Sequence, residues 1–230
     1  MKGVIVADII SSTSLSLEQL ISLREELQNF IDEYVGWFKE HGCVFWGRVV
    51  RGDTLECYMD SAHYALRIAI LLKLRIMLFN TSIGIVGVKT KQGIKSGVRV
   101  SIGVGNMRIN DQEKDILDGE AIYLAGRELD GQHTAGKEKV SIKRTLFFSS
   151  SKHMEKQSVS LLLECIDVLL RKATDNQKVV IYNKLLGKKE SDIARMLDRS
   201  TATINQHSVT AGWNAISDIV NFYEKELYPL

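Results

Sequence analysis

Residues 3–9 read Gly-Val-Ile-Val-Ala-Asp-Ile, an apolar run with no polar alternation that reaches a carboxylate near its end. A stretch of this kind suits a strand buried on both faces, and such a strand belongs at the centre of a sheet. After the polar cluster 11–14, Ser16 and Gln19 have capping-box spacing. Leu17, Leu20, Ile21, Leu27, Ile31, Tyr34 and Phe38 then recur at helical intervals until Gly42 ends the helix. Residues 43–50 and 55–59 read as strands joined by the tight turn Arg51-Gly52-Asp53-Thr54. Asp60-Ser61 caps a second helix running to about Phe79, and 98–104 alternates as a further strand. The glycine-bearing stretch between them reads as a loop or ragged hairpin; Gly87 and 93–96 miss the phosphate-loop spacing. A third helical pattern over 119–132 and a strand at 145–148 complete the order β, α, β, β, α, β, α, β. That order predicts an α+β sandwich with helices on one side of a mostly antiparallel sheet.

From Ser158 the pattern becomes purely helical, with segments at 161–170, 176–186, 190–197, 201–210 and 213–223. The boundary is placed at Ser149-Ser150-Ser151, dividing the chain into domains 1–150 and 151–230, and 230 residues suit two modest domains. Thirty Lys and Arg against 28 Asp and Glu leave a net charge of +2, so any nucleic-acid signal has to come from local clustering. No export signal opens the chain and no apolar run approaches the ~20 residues of a membrane span, so a soluble, cytoplasmic protein with no membrane partner is expected. Cys43, Cys57 and Cys165 have no Cys-x-x-Cys spacing and read as small buried hydrophobes in a reducing compartment.

Asp8 ends the first strand and Asp53 sits in a hairpin expected beside it. Two carboxylates at one sheet edge are oxygen ligands suited to Mg²⁺ or Mn²⁺, while a strand-end acid and a turn residue are the plain alternatives. Glu56 has the opposite strand parity to Asp53 and is not enlisted. Arg48 and Arg51 bracket the hairpin and suit either phosphate or a solvated edge. The five histidines form no i, i+4 pair, and no Gly-x-Ser-x-Gly elbow is present.

Residues 171–217 hold eight Lys and Arg against four Asp and Glu, a local +4. Within them 189–197 reads as a short helix, Asp198-Arg199-Ser200 as a turn, and Thr201 onward as a second helix, with Ile193, Ala194, Leu197 and Ile204 facing inward. No acid occurs from Ser200 to Ser217. Arg199, Thr201, Thr203, Asn205, Gln206 and His207 are the candidates for contacting base edges and phosphates of double-stranded DNA. A helical dimerisation module is the alternative. Trp213, Ile216, Ile219, Val220 and Tyr223 read as core with scope for a dimer contact.

Asp8-Ile9-Ile10-Ser11-Ser12-Thr13, then Arg51-Gly52-Asp53, then the helix opening Gly119-Glu120-Ala121-Ile122-Tyr123-Leu124-Ala125-Gly126-Arg127, resemble in order the catalytic domain of class III nucleotide cyclases. The resemblance covers residues 3–149, and with the helical tail it is similar to the SatD-like family, a cyclase-like core joined to a helix-turn-helix. The tail resembles the helix-turn-helix of sigma-factor region 4 and LuxR-type regulators. The resemblance implies a ferredoxin-like core in which Asp8 and Asp53 hold Mg²⁺ or Mn²⁺ against a nucleoside triphosphate. Backbone near Ile10, Ser11 and Ser12 would cradle phosphate. Arg127 matches the arginine such cyclases bring across a dimer interface, while Tyr123 stands where they carry asparagine. The expectation is a homodimeric DNA-binding transcriptional regulator whose cyclase-like domain senses a nucleotide. The alternatives are an active nucleotidyl cyclase, a phosphorus-oxygen lyase, and an inactive scaffold.

Overall fold

The computed structural model describes residues 1–10, 12, 15–50, 52–82, 89–90, 93–94, 97–131 and 144–230. The chain begins with β1 (Lys2–Ile10) and α1 (Leu17–Glu40), then β2 (Phe45–Val50), β3 (Thr54–Met59) and α2 (Ala65–Ser82). Short strands β4 (Lys89–Thr90) and β5 (Gly93–Ile94) pair as the ragged hairpin, followed by β6 (Gly97–Gly105). A second hairpin, β7 (Met107–Asp111) with β8 (Ile116–Gly119), runs directly into α3 (Glu120–Asp130), and β9 (Leu146–Ser150) closes the sheet. The sequence pattern gave no sign of the β7–β8 hairpin, whose exposed residues show no clean alternation. Helices α4 (His153–Lys172), α5 (Asp175–Leu185), α6 (Glu190–Met196), α7 (Thr201–Thr210) and α8 (Trp213–Phe222) follow, and a π-helical turn at Tyr223–Leu227 continues the last of them.

The main sheet has the order β2-β3-β1-β6-β9, antiparallel except for β6 and β9. β1 is its middle strand, and its two faces diverge by parity. Ile5, Ala7 and Ile9 enter a core built with α1 and α2, whereas Val4 and Val6 enter a separate core with Ala121, Ala125 and Leu129 of α3. The α1 helix starts as expected, with the Gln19 amide N–H donating to Ser16 Oγ at 3.2 Å and the Ser16 N–H donating to Gln19 Oε1 at 3.0 Å.

The expectation of helices on one side is therefore corrected: α3 covers the face opposite α1 and α2. β3, β6 and β9 point the same way and step across the sheet in the same direction. Crossovers of one handedness would put α2 and α3 on one face, so their opposite placement means opposite handedness. The β7–β8 hairpin intervenes: it folds over β2, where Trp46 Nε1 donates to Asn110 Oδ1 at 2.5 Å, and delivers the chain to the other side. Gly103 permits the landing, because a Cβ there would lie 2.0 Å from the Ala121 carbonyl oxygen.

The apolar core is continuous across residue 150. Val159, Leu163, Ile166 and Leu170 of α4, Ile181 and Leu185 of α5, and Ile216 and Val220 of α8 join the α1/α2 core. A smaller core holds Val180, Ile193, Ala194 and Ile204, with Leu197 beside it, and welds α5, α6 and α7 together. Of the cysteines only Cys57 is buried; Cys43 is half-buried and Cys165 is exposed on α4, which corrects the expectation of three buried thiols. Among the described residues no helix is long and apolar enough to cross a membrane.

A buried polar cluster ties α2 and α4 to the sheet. Lys73 Nζ donates to Thr145 Oγ1 at 2.5 Å and to the Val98 carbonyl at 3.3 Å. Asp167 accepts from the Thr145 N–H at 2.8 Å and from its hydroxyl at 2.6 Å, and lies 3.5 Å from Lys73 Nζ. Lys73 and Asp167 are 3% and 1% exposed, and burial pulls the Lys73 ammonium below its ordinary value against the opposing pull of Asp167. Asp167→Ala strands a buried cation and is expected to lower the unfolding free energy by about 3–5 kcal/mol in urea titration. A loss under about 1 kcal/mol would contradict the tie described here.

Candidate functional site

The turn between β2 and β3 carries Asp53 back to the carboxyl end of β1. Gly52 adopts φ +82°, a conformation that favours glycine, and the Ile9 N–H donates to the Asp53 carbonyl at 3.2 Å. Asp8 lies opposite Thr54 of β3 on one side and Arg99 of β6 on the other, so both acids sit at the same end of the sheet. The Asp8 carboxylate forms an ion pair with Arg99, the two side chains being 25% and 12% exposed. The Asp53 carboxylate accepts from Ser12 Oγ at 2.5 Å and from Thr54 Oγ1 at 3.4 Å. Ile10 faces Gly97 in the last pair of the β1–β6 ladder. Ser11 and Arg51 lie outside the described residues. Glu56 is held by Arg48 at 2.7 Å.

These oxygens have the chemistry a hard divalent cation prefers, but as arranged they do not make a metal site on their own. Arg99 already supplies the positive charge facing Asp8. Among the described residues no three His, Cys, Asp or Glu side chains converge. Sequence reasoning missed Arg99; its signal was the expected strand 98–104, whose register against β1 only the folded sheet defines.

Tyr123 and Arg127 occupy successive turns on the exposed side of α3, with the Arg127 guanidinium 5.9 Å from the Tyr123 ring centroid. The Tyr123 hydroxyl donates to Asp118 Oδ1 at 2.6 Å, and Arg108 Nε donates to the other oxygen at 2.7 Å. These hydrogen bonds hold the Asp118 carboxyl below its ordinary value, Tyr123 first and Arg108 second. The α3 helix begins beside Gly105, where Ala121 donates to Asn106, whereas Asp8 faces Arg99. Six residues of strand, roughly 20 Å, separate those positions. One chain thus places the Asp8/Asp53 pair and the start of the Tyr123–Arg127 helix toward opposite ends of the sheet.

In the tail, Thr174 and Gln177 form a second capping box at the start of α5. The turn before α7 uses Asp198 in the left-handed region, with the Arg199 N–H returning to the Ala194 carbonyl at 2.9 Å. Ser200 caps α7 by accepting the Thr203 N–H at 3.1 Å, and its hydroxyl meets Thr203 Oγ1 at 2.9 Å. Ile204 and Ser208 point inward while Thr201, Asn205 and Gln206 are exposed; Thr203 and His207 lie half-buried at one flank. Arg199 is exposed in the turn. A polar cluster braces the other flank: Lys184 Nζ contacts Glu190 Oε1 at 2.5 Å and Ser208 Oγ at 2.9 Å, and stands 5.1 Å from the Trp213 ring centroid. Asn205 Nδ2 donates to Glu190 Oε2 at 3.3 Å. The Lys184 hydrogen bond leads in holding the Glu190 carboxyl below its ordinary value, with Asn205 contributing against partial burial.

No protein-family model and no curated protein matches the chain. Among solved structures it is similar to a bacterial light-regulated adenylyl cyclase, at 14% identity and TM-score 0.38, over 64% of this chain and 42% of that one. It is also similar to the guanylyl cyclase Cya2, at 15% identity and TM-score 0.38, over 65% of this chain and 75% of that one. The match thus spans less than half of the adenylyl cyclase chain.

Arg99→Gln removes the cation facing Asp8, so Mn²⁺ is expected to raise the melting temperature of that variant more than that of the wild type. Equal Mn²⁺ stabilisation of both proteins would show that Arg99 does not take the cation's place. A second expectation concerns pH. Because the folded Glu190 carboxyl is depressed, its stabilisation is complete above the unfolded-state value of about 4.3 and disappears as pH falls through the lower folded value. Urea midpoints of wild type and Glu190→Gln should therefore differ most near neutrality and draw together as pH falls below about 4. A constant difference across that range contradicts the assignment.

Proposed function

We propose that the chain is a DNA-binding regulator in which α6 and α7 form a helix-turn-helix and the sheet-containing part receives a phosphate-bearing nucleotide. The observation that carries this reading is the exposed, acid-free face of α7, seated on the Val180–Ile193–Ala194–Ile204 core. A major groove admits one helix, and a polar helix with no acid of its own, whose neighbouring Glu190 carboxylate is paired with Lys184 at 2.5 Å, can approach phosphates and base edges with little repulsion. Thr201, Asn205 and Gln206 would enter the groove, Arg199 and His207 would reach the flanks, and Thr203 would serve the Ser200 cap. Lys189 at the N-cap of α6 and Arg195 within it add exposed cations for the backbone. A homodimer placing two such units on neighbouring half-sites fits this geometry.

The division proposed at residue 150 gives a sensor and a reader that share α5. Its Val180 belongs to the reader core, its Ile181 and Leu185 to the main core, and Arg67 donates to the Leu185 carbonyl at 2.6 Å. Movement at the sheet therefore has a short mechanical route to α7. For the sensor, Ser12 and Arg99 beside Asp8 and Asp53 favour a nucleoside triphosphate as ligand, since a hydroxyl and a guanidinium both bond phosphate oxygens. Sensing is favoured over cyclisation because Arg99 neutralises Asp8, and Tyr123, bonded to Asp118, replaces the amide expected there.

Fluorescence anisotropy with labelled duplex DNA over a salt series tests the reading, with ATP or GTP and Mg²⁺ added in parallel. The expected result is association whose logarithm falls linearly with the logarithm of salt concentration and shifts on nucleotide addition. Absence of salt-dependent association removes the DNA reading. Cyclic product or pyrophosphate formed from any nucleoside triphosphate would replace the sensor with an enzyme.

A further inference from the structure

Resting on the DNA-binding reading, we infer that α7 recognises A·T base pairs through the major groove, and that Glu190 is the positioning residue that sets Asn205 for adenine. The inference starts from what α7 displays. Ile204, Ser208 and Ala211 face inward, whereas Thr201, Ala202, Asn205, Gln206, Val209 and Thr210 are exposed, Val209 65% so. Residues 201–210 contain no Lys or Arg. The commonest contact to guanine, a cation spanning O6 and N7, is therefore missing from this face. What remains matches the other base pair: Asn and Gln bond adenine N6 and N7 in bidentate fashion, and small apolar side chains meet the thymine C5-methyl. Val209 is the largest apolar side chain exposed on α7, and a thymine methyl gives it a partner.

Glu190 adds direction. An ionised carboxylate only accepts hydrogen bonds, so it contacts the amide nitrogen of Asn205 and not the oxygen. The observed 3.3 Å bond from Asn205 Nδ2 to Glu190 Oε2 uses one of two N–H groups. The second N–H and Oδ1 stay available, which is the donor–acceptor pair that adenine N7 and N6 require. Lys184, at 2.5 Å from the other carboxylate oxygen, keeps Glu190 ionised and in place. The exposed cations Lys189, Arg195 and Arg199 lie outside α7, at the N-cap of α6, on α6 and in the turn, where phosphate contacts orient the helix without reading sequence.

The test uses the full chain. Duplexes are selected from a random library at moderate salt, and binding of the enriched sequence is measured by anisotropy, including a version with uracil in place of each thymine. That change deletes a methyl from the major groove and leaves the minor groove as it was. Enrichment of A·T pairs is expected, with a loss of about two- to fivefold for each contacted thymine replaced. Asn205→Ala should relax the preference at one base pair by roughly five- to a hundredfold while low-salt binding to random duplex persists. Glu190→Gln should relax the same base pair, because a neutral amide accepts either orientation of Asn205, and should leave the melting temperature at pH 7 within a few degrees of wild type. Absence of salt-dependent binding to every duplex removes the underlying DNA reading. Salt-dependent binding with G·C enrichment, or with indifference to uracil, overturns the A·T inference and leaves the DNA reading standing. A Glu190→Gln profile identical to wild type overturns the positioning role alone.

Discussion

The burial of β1 on both faces organises the molecule. Val4, Ile5, Val6 and Ala7 are all buried, and alternate side chains feed two different cores. Fully burying an aliphatic side chain of this size contributes about 1.5–3 kcal/mol, so leaving either face open would forfeit several such contributions. The α1 and α2 helices satisfy one face. The other needs a layer of its own, and α3 supplies it at the closest approach the backbone permits, over Gly103. The carboxylate end of the sheet follows from the same strand, because Asp8 is the one carboxylate in β1 and stands two residues before its end.

Two polar ties join the helical tail to this frame. Lys73, Thr145 and Asp167 link α2, the sheet and α4 inside the core, and Arg67 meets both oxygens of Glu224 at 2.7 Å near the end of the chain. Such groups are costly to bury unless fully partnered, and once partnered they tolerate few alternative geometries. The tail is consequently registered against the sheet at defined points. The small core around Ile193 and Ile204 stands further out, joined mainly through α5, so the face of α7 remains open while its base is anchored.

Much of the tail was legible in the chain itself. Ile193, Ala194, Leu197 and Ile204 read as inward-facing from helical spacing, and they gather as expected because α6 and α7 are neighbours in sequence. The capping box at Ser16 was equally plain, since its partners lie three residues apart. Arg99 was not legible: it stands 91 positions from Asp8, and only the antiparallel register makes them neighbours. The Glu190–Asn205 bond was missed for the related reason that it depends on how closely two short helices cross. The exposed Cys165 shows the limit of composition, because the residue type leans toward burial while its position on the outer side of α4 decides otherwise.

The run 3–9 already required cover on two sides, and an arrangement with every helix on one side sits poorly with it. The order of the elements suggested the one-sided arrangement, and crossovers of one handedness would also put α2 and α3 on one face. Tertiary structure resolved the conflict through the β7–β8 hairpin, whose short exposed strands leave no periodic trace. Local periodicity and capping thus determined which segments are helix or strand, because those signals act over a few residues. The face α3 covers, the cation opposite Asp8 and the orientation of Asn205 were decided only by folding, because each depends on groups brought together from distant parts of the chain.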